Sequence, residues 1–246
     1  MRRFRWQFFL GLPLIVLSIS LYLTHYVIFR DLDHICHWSL TSLAFLPISV
    51  LFVTLIVNQL LGSREKRLRL QKMNMLIGVF FSKVGTELLR CFSEWNPQSD
   101  AIREHLIVTN DWSAEEFLSV SEYLRSSDYG VAMQKVDLKC LRSFLLGKED
   151  FLLRLLENPH VLEHISFTEV LQAVFHLADE LSYREDVTQL PDSDKTHLGG
   201  DIKRSYNLLA SQWLDYMKYL KDNYPYLFSL ALRTNPFDKE ISPIVK

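Results

Sequence analysis

The sequence has little that bends or cross-links a chain. Its 246 residues include eight glycines, eight prolines and three cysteines. So few glycines and prolines argue against disorder and against glycine-rich phosphate loops. Cys36, Cys91 and Cys140 are too few and too scattered for a disulfide framework, and no CxxC occurs. Cys91 and Cys140 fall in apolar helical patterns, so both are expected to be small buried side chains in a reducing compartment. P-loop, G-x-S-x-G, protein-kinase and Rossmann signatures are all missing. Period-2 strand patterns, internal repeats and low-complexity tracts are missing too.

Charge is absent from two long runs. None occurs from Trp6 to Phe29 or from Trp38 to Ser63. Each run is long enough to cross a hydrocarbon core of about 30 Å with some tilt. Pro13 and Pro47 do not forbid this, because membrane helices tolerate proline. Trp6, Tyr22, Tyr26 and Trp38 sit toward the run ends, where interfacial aromatics gather. Arg2, Arg3 and Arg5 precede the first run, and Arg64, Lys66, Arg67, Arg69 and Lys72 follow the second, while the connection offers only Arg30 against Asp31 and Asp33. The positive-inside rule then places both termini in the cytoplasm and the connection outside. The small residues of Ser18-Ile19-Ser20 resemble a signal cleavage site, but the apolar run continues to Phe29, further than a signal peptide needs. The basic cluster after Ser63 is expected near anionic headgroups, chiefly as a topology determinant.

The connection RDLDHICHW holds Asp31, Asp33, His34, Cys36 and His37. These are metal-ligand types. One short turn is nevertheless a poor wrapper for a tetrahedral site, and a polar turn is what such a connection needs in any case.

Beyond Lys72 the sequence is rich in charge, acidic side chains outnumber basic ones, and the helical period dominates. Leu70, Met73, Ile77, Phe80, Val84, Leu88 and Cys91 form one apolar stripe. Gly78 and Gly85, seven apart, allow another helix to approach, either in the domain core or at a dimer seam. Start signals follow: Asn96-Pro97, the Ser113/Glu116 box, Asp137 with a stop at Gly147, Glu149-Asp150, and a second box at Ser166/Glu169. A polar loop from Arg184 to Lys195 contains Pro191. A long helix from about Gly200 to Asn223 carries Tyr206, Leu209, Trp213, Tyr216 and Leu220 on one stripe, and Pro225 breaks it. The expected fold class is all-α: a transmembrane helical hairpin in residues 1–63, with spans of about 6–29 and 38–61, an all-α cytoplasmic domain over 64–238, and a tail over 239–246.

Two patterns bear on chemistry. His160, Glu163 and His164 spell H-x-x-E-H, the inverted zinc-protease order, but Pro159 and a new helix start leave it little helix to sit on. His176 and Glu180 are i,i+4, as are His197 and Asp201, and two such pairs meeting across a helix bundle would make a metal site. The simpler account of His176, among Val174, Phe175 and Leu177, is a hydrogen-bonded boundary residue. The acidic balance argues against nucleic acid as a partner.

NMLIGVFFSKVGTELL, DFLLRLLENPHVLEHISFTEVLQAVFHLADEL and YPYLFSLALRTNPF resemble segments of a family of uncharacterised prokaryotic membrane proteins with two N-terminal spans and a helical cytoplasmic domain. The resemblance implies that architecture in a prokaryotic inner membrane. It brings no activity and no site residues, and the family has an acidic residue where this chain has Lys83. The functional expectation is therefore a membrane-anchored helical interaction or scaffold module, non-catalytic and without cofactor, whose partners are the bilayer and a protein or a second copy of itself. The alternatives are a metal-dependent enzyme built on His176, Glu180, His197 and Asp201, and a small oligomeric channel. Against the channel, His25, near the outer end of its span, is the one ionisable side chain of the acid–base kind within the spans.

Overall fold

Helices account for the regular structure throughout, and no strand occurs among the described residues. The computed structural model describes residues 2–126, 130–239, 242 and 244; for residues 2–12, Arg67 and Ser99 it describes the backbone alone. Most of the expected tail, 240, 241, 243, 245 and 246, lies outside that range, as do the side chains of Arg2, Arg3, Arg5 and Trp6. The chain divides into two units, Met1–Lys66 and Arg67–Lys246.

In the first unit, α1 (Arg2–Phe29) runs through Pro13, and after two intervening residues α2 (Leu32–Phe80) begins and runs through Pro47. Arg30 turns the chain at φ 47°, the one non-glycine residue with positive φ among those described. Asp31 follows as a helix cap, its Oδ1 accepting from the His34 N–H at 3.0 Å. The polar connection is thus a turn with its own structural task. The His34 ring lies parallel to His25 at 6.0 Å and leans on Trp38. Large apolar side chains from Leu14 to Leu61 stand exposed almost without exception. By length and composition, one described helix, the continuous run Leu32–Trp95, is apolar enough to cross a membrane, and none of its most apolar stretch is buried. The apolar part of α1 with described side chains, Pro13–Phe29, is shorter.

In the second unit the end of α2 passes through a π-turn, Phe81–Gly85, into α3 (Thr86–Trp95). Then come α4 (Ser99–Leu106), α5 (Ala114–Ser126), a 3₁₀ turn (Met133–Lys135), α6 (Leu138–Leu146), α7 (Glu149–Leu156), α8 (Pro159–Leu162), α9 (Ile165–Ser182), α10 (Asp192–Asn223) and α11 (Pro225–Arg233). The central element is α10, which packs on α9, α5, α11 and α3; α9 in turn meets α6, α7 and α8. The core between them holds Ile77, Phe80, Val84 and Leu88, with Phe167, Leu171, Leu209 and Met217. Phe80 meets Phe167 edge-on, and Trp213 meets Phe237 in the same way. Gly78 is a contact point within this core: a β-carbon there would lie 2.6 Å from the Tyr216 hydroxyl oxygen.

Several starts and stops follow the sequence signals. Ser113 and Glu116 exchange their capping hydrogen bonds. Asp137 caps α6 through the Cys140 N–H at 2.9 Å, and Pro225 opens α11. Others differ. Asn96 accepts from the Gln98 N–H, and α4 starts only at Ser99, because Pro97 first completes a turn. The cap of α9 is His164, whose Nδ1 faces the Phe167 N–H at 3.3 Å. Ser166 is already helical and donates to Gln212 Oε1 at 2.9 Å, so the second serine–glutamate box does not form. Pro191 precedes α10, which begins eight residues earlier than expected and carries Gly199 and Gly200 inside it. Cys140 is exposed and Cys91 only half-buried, against the expectation that both are core. Cys140 lies in the first turn of α6 on the side away from Leu138 and Leu141, the residues that reach the core.

Candidate functional site

The two i,i+4 pairs read from the sequence meet. His176 and Glu180 lie on α9, and His197 and Asp201 lie on α10, the helix packed most extensively against it. His176 Nε2 is 3.9 Å from Glu180 Oε1 and 3.8 Å from Asp201 Oδ1. His197 Nε2 is 3.7 Å from Glu180 Oε2 and 3.4 Å from Asp201 Oδ2. The four side chains therefore form a ring in which imidazole and carboxylate alternate. The carboxylates are set inward, with the Asp201 side chain 15% exposed, and the imidazoles are about half exposed, His176 at 49% and His197 at 52%. Asp201 Oδ2 is buried and accepts no hydrogen bond.

Arg184, one turn beyond Glu180, anchors the ring. Its Nη1 donates to Glu180 Oε2 at 2.8 Å and to the Glu180 carbonyl oxygen, while its Nε and Nη2 grip Asp194 at 2.8 and 2.6 Å. The fork matches the carboxylate of Asp194 bidentately. These bonds hold the Glu180 and Asp194 carboxyls below the usual carboxylate range, Arg184 being the main cause in both. The sequence reading assigned Arg184 and Asp194 to a polar loop. The i,i+4 spacing of Glu180 and Arg184 was the available signal for one of them; Asp194 joins through the tertiary turn between α9 and α10.

No group of three or more His, Cys, Asp or Glu side chains among the described residues could hold a metal ion. That includes the ring, whose four contacts end on different oxygens of each carboxylate. H-x-x-E-H is not a helical pair at all. His160 lies on α8 with its N–H donating to Asn158, His164 caps α9, and Glu163 between them pairs with Arg69 at 3.4 Å. The break between α8 and α9 removes the one-turn spacing that a zinc pair needs.

Two open clefts hold polar side chains of interest among the described residues. One, of about 550 Å³, lies between α9 and α10 and is lined by Glu169, Gly200, Lys203, Arg204, Asn207 and Leu208. The other, of about 490 Å³, belongs to the first unit, between α1 and α2 beside His25, His34 and Trp38.

The comparisons with known proteins match both parts of the chain. The family model described as "MJ1433, N-terminal helical domain" matches residues 2–61, and that described as "Uncharacterized protein MJ1433, C-terminal helical domain" matches residues 69–233. The chain belongs to the MJ1433 family. A relative from Methanocaldococcus jannaschii, "Uncharacterized protein MJ1433", is 47% identical over 236 residues, covering 96% of this chain and 95% of the relative. No solved structure matches. All four ring residues, with Arg184 and Asp194, fall in the stretch matched to the C-terminal helical domain of the MJ1433 family.

Proposed function

We propose that the protein is a membrane-anchored helical interaction module, without catalysis of its own, in the cytoplasmic membrane of a prokaryote. The observation that carries this reading is the exposure of the first unit's apolar side chains from Leu14 to Leu61. A water-soluble protein rarely leaves a contiguous apolar surface of that extent uncovered. Both charge-free runs then span the bilayer as a hairpin, the arginines before the first and the basic cluster after the second remain in the cytoplasm, and the turn at Arg30–Asp31 faces outward. The second unit works in the cytoplasm. Its partner is a protein or a second copy of the chain, met through apolar side chains that the domain leaves uncovered, such as Leu162 and Ile165 at the break between α8 and α9. The acidic balance of the sequence beyond Lys72 disfavours nucleic acid.

Thiol labelling tests the anchoring and its direction. A membrane-impermeant reagent should modify the exposed Cys36 in intact cells and the exposed Cys140 only after permeabilisation. Cys91 should react slowly in both, because burial pushes its thiol up to about 11. Labelling of Cys140 from outside reverses the orientation, and release of the chain by alkaline carbonate removes the anchor altogether. Cross-linking in membranes tests the interaction reading, which fails if the chain joins neither itself nor another protein.

A further inference from the structure

We propose that the cleft between α9 and α10 binds a small zwitterion carrying a phosphate and an amine, the chemistry of an amino-alcohol phosphate ester. The first argument is the charge of its walls. Beyond Lys72 acidic side chains outnumber basic ones. This cleft of about 550 Å³ nevertheless has two adjacent cations, Lys203 and Arg204, on its α10 wall and one carboxylate, Glu169, on its α9 wall. Glu169 and Arg204 carry opposite charges on facing helices and do not close on each other. Among the described residues, neither has an ion pair or a side-chain hydrogen bond. A ligand charged at both ends bridges that gap. Its phosphate takes the arginine fork and the lysine ammonium, and its own ammonium faces Glu169.

The second argument is Asn207, which also lines the cleft. Its Oδ1 is buried and accepts no hydrogen bond, a costly arrangement for an amide. It needs a donor. An ammonium supplies one and a fully ionised phosphate does not, which favours the zwitterion over a simple anion. The third argument is Gly200. With Arg204, Asn207 and Leu208 it recurs at i, i+4, i+7 and i+8, one face of α10. A glycine inside a helix costs stability relative to alanine. The fold accounts for Gly199, where a β-carbon would lie 3.1 Å from the Met133 sulfur, but at Gly200 a β-carbon would meet nothing within 4 Å. Bare backbone at that point leaves room for a ligand to approach the helix closely. Leu208 offers the carbon chain of the ester an apolar contact. None of the described lining residues is aromatic, so a nucleobase would find no ring to stack on.

The test is isothermal titration calorimetry of the full chain, purified in a maltoside detergent, with O-phosphoethanolamine as the probe. The parent chain should bind it saturably at millimolar concentration. Inorganic phosphate, ethanolamine and the N-acetylated ester should each bind more weakly. Arg204→Gln should weaken the ester by about 10–100-fold and weaken inorganic phosphate with it. Glu169→Gln should weaken the ester and leave inorganic phosphate unchanged, a split that a merely structural role would not produce. Gly200→Leu should block the cleft without lowering the melting temperature. Glu169 and Arg204 are exposed, so their variants should fold, and circular dichroism verifies it. Micelles doped with phosphatidylethanolamine distinguish two sources of this chemistry: displacement of the ester assigns the cleft to a lipid headgroup, and retention assigns it to the free ester. The proposal is overturned if the folded parent chain shows no saturable binding of the ester, if inorganic phosphate binds as well as the ester, or if Glu169→Gln and Arg204→Gln bind the ester as the parent does.

Discussion

Asn235 and Leu106 are 129 positions apart in sequence and joined by a buried hydrogen bond: Asn235 Nδ2 donates to the Leu106 carbonyl oxygen at 2.9 Å. The other end of the same amide, Oδ1, accepts from the Phe237 N–H at 2.9 Å. One side chain thus satisfies the open end of α4 and fixes the segment that inserts Phe237 against Trp213. Asn235→Ala leaves the Phe237 N–H buried without an acceptor and removes one of two donors to the Leu106 carbonyl, which still accepts from the Val108 N–H at 3.0 Å. The expected cost is about 1–3 kcal/mol, that of one unsatisfied buried group. Asn235→Asp should cost a similar amount, since it removes the donor and buries a charge. Denaturant titration of both variants measures this, and a loss under 1 kcal/mol in each would show that the segment is held by Phe237 alone.

Gly78 faces Tyr216 on α10. Alanine in a helix normally gains about 0.5–1 kcal/mol over glycine. Here the added carbon meets the phenol, whose ring stacks on Phe81 at 5.6 Å and has little room to retreat. Overpacking of this kind costs about 1–3 kcal/mol. Gly78→Ala should therefore destabilise on balance, and Tyr216→Phe in the same chain should recover part of the loss by removing the oxygen that clashes. Thermal melts of the single and double variants test the coupling.

The Arg184 clamp makes stability depend on pH in a defined direction. Glu180 and Asp194 have folded carboxyls held low by Arg184. The stability they contribute is fully present above the unfolded carboxylate range near pH 4, and is lost as pH falls through the lower folded values. Arg184→Gln should cost about 1–3 kcal/mol at pH 7, in the range of charged hydrogen bonds tempered by the partial exposure of both carboxylates. The difference between parent and variant should shrink steadily below about pH 4. A difference that stays constant down to pH 2 would mean that Arg184 acts by packing alone.

Ile77, Phe80, Val84 and Leu88 are fully buried in the second unit. Each contributes about 1.5–3 kcal/mol on burial, so together they represent much of a typical stability of about 5–15 kcal/mol. A chain shortened to begin at Arg64 should be helical, soluble and cooperative on melting. One beginning at Asn96 should aggregate or melt without a sharp transition, because the faces of α9 and α10 that cover those residues become exposed. Equal cooperativity of the two would show that the helix before Asn96 is dispensable to the fold.

Much of this architecture was legible from local chemistry. Asp137, and Ser113 with Glu116, act at helix starts through hydrogen bonds that reach only three residues along the chain, and Pro225 acts at its helix start through its own fixed φ. The ring was legible for the same reason: i,i+4 spacing defines a helix face, and it remained only for the two faces to meet. What was hidden depends on distant partners. Ser166 looks like a cap but bonds Gln212, 46 residues away, and leaves the capping to a histidine. Gly199 and Gly200 suggest a helix boundary, yet Gly199 lies within α10 close to the Met133 sulfur, where a larger residue would crowd it. The clamp on Asp194 arises only when the loop after α9 folds back.

The π-turn at Phe81–Gly85 also carries a record of how the helix was phased. A π-turn accommodates one residue more than the α-helix around it, and each residue of an α-helix advances the face by about 100°. That extra residue lets Phe80, Phe81 and Val84 all reach the core, and it brings Leu88, Leu89 and Phe92 onto it afterwards. The stripe before the turn and the stripe after it are therefore aimed separately. A chain one residue shorter here would have a regular helix and a mis-aimed half. Gly85, where a β-carbon would stand 2.5 Å from the Phe81 ring, marks where that spare residue is stowed.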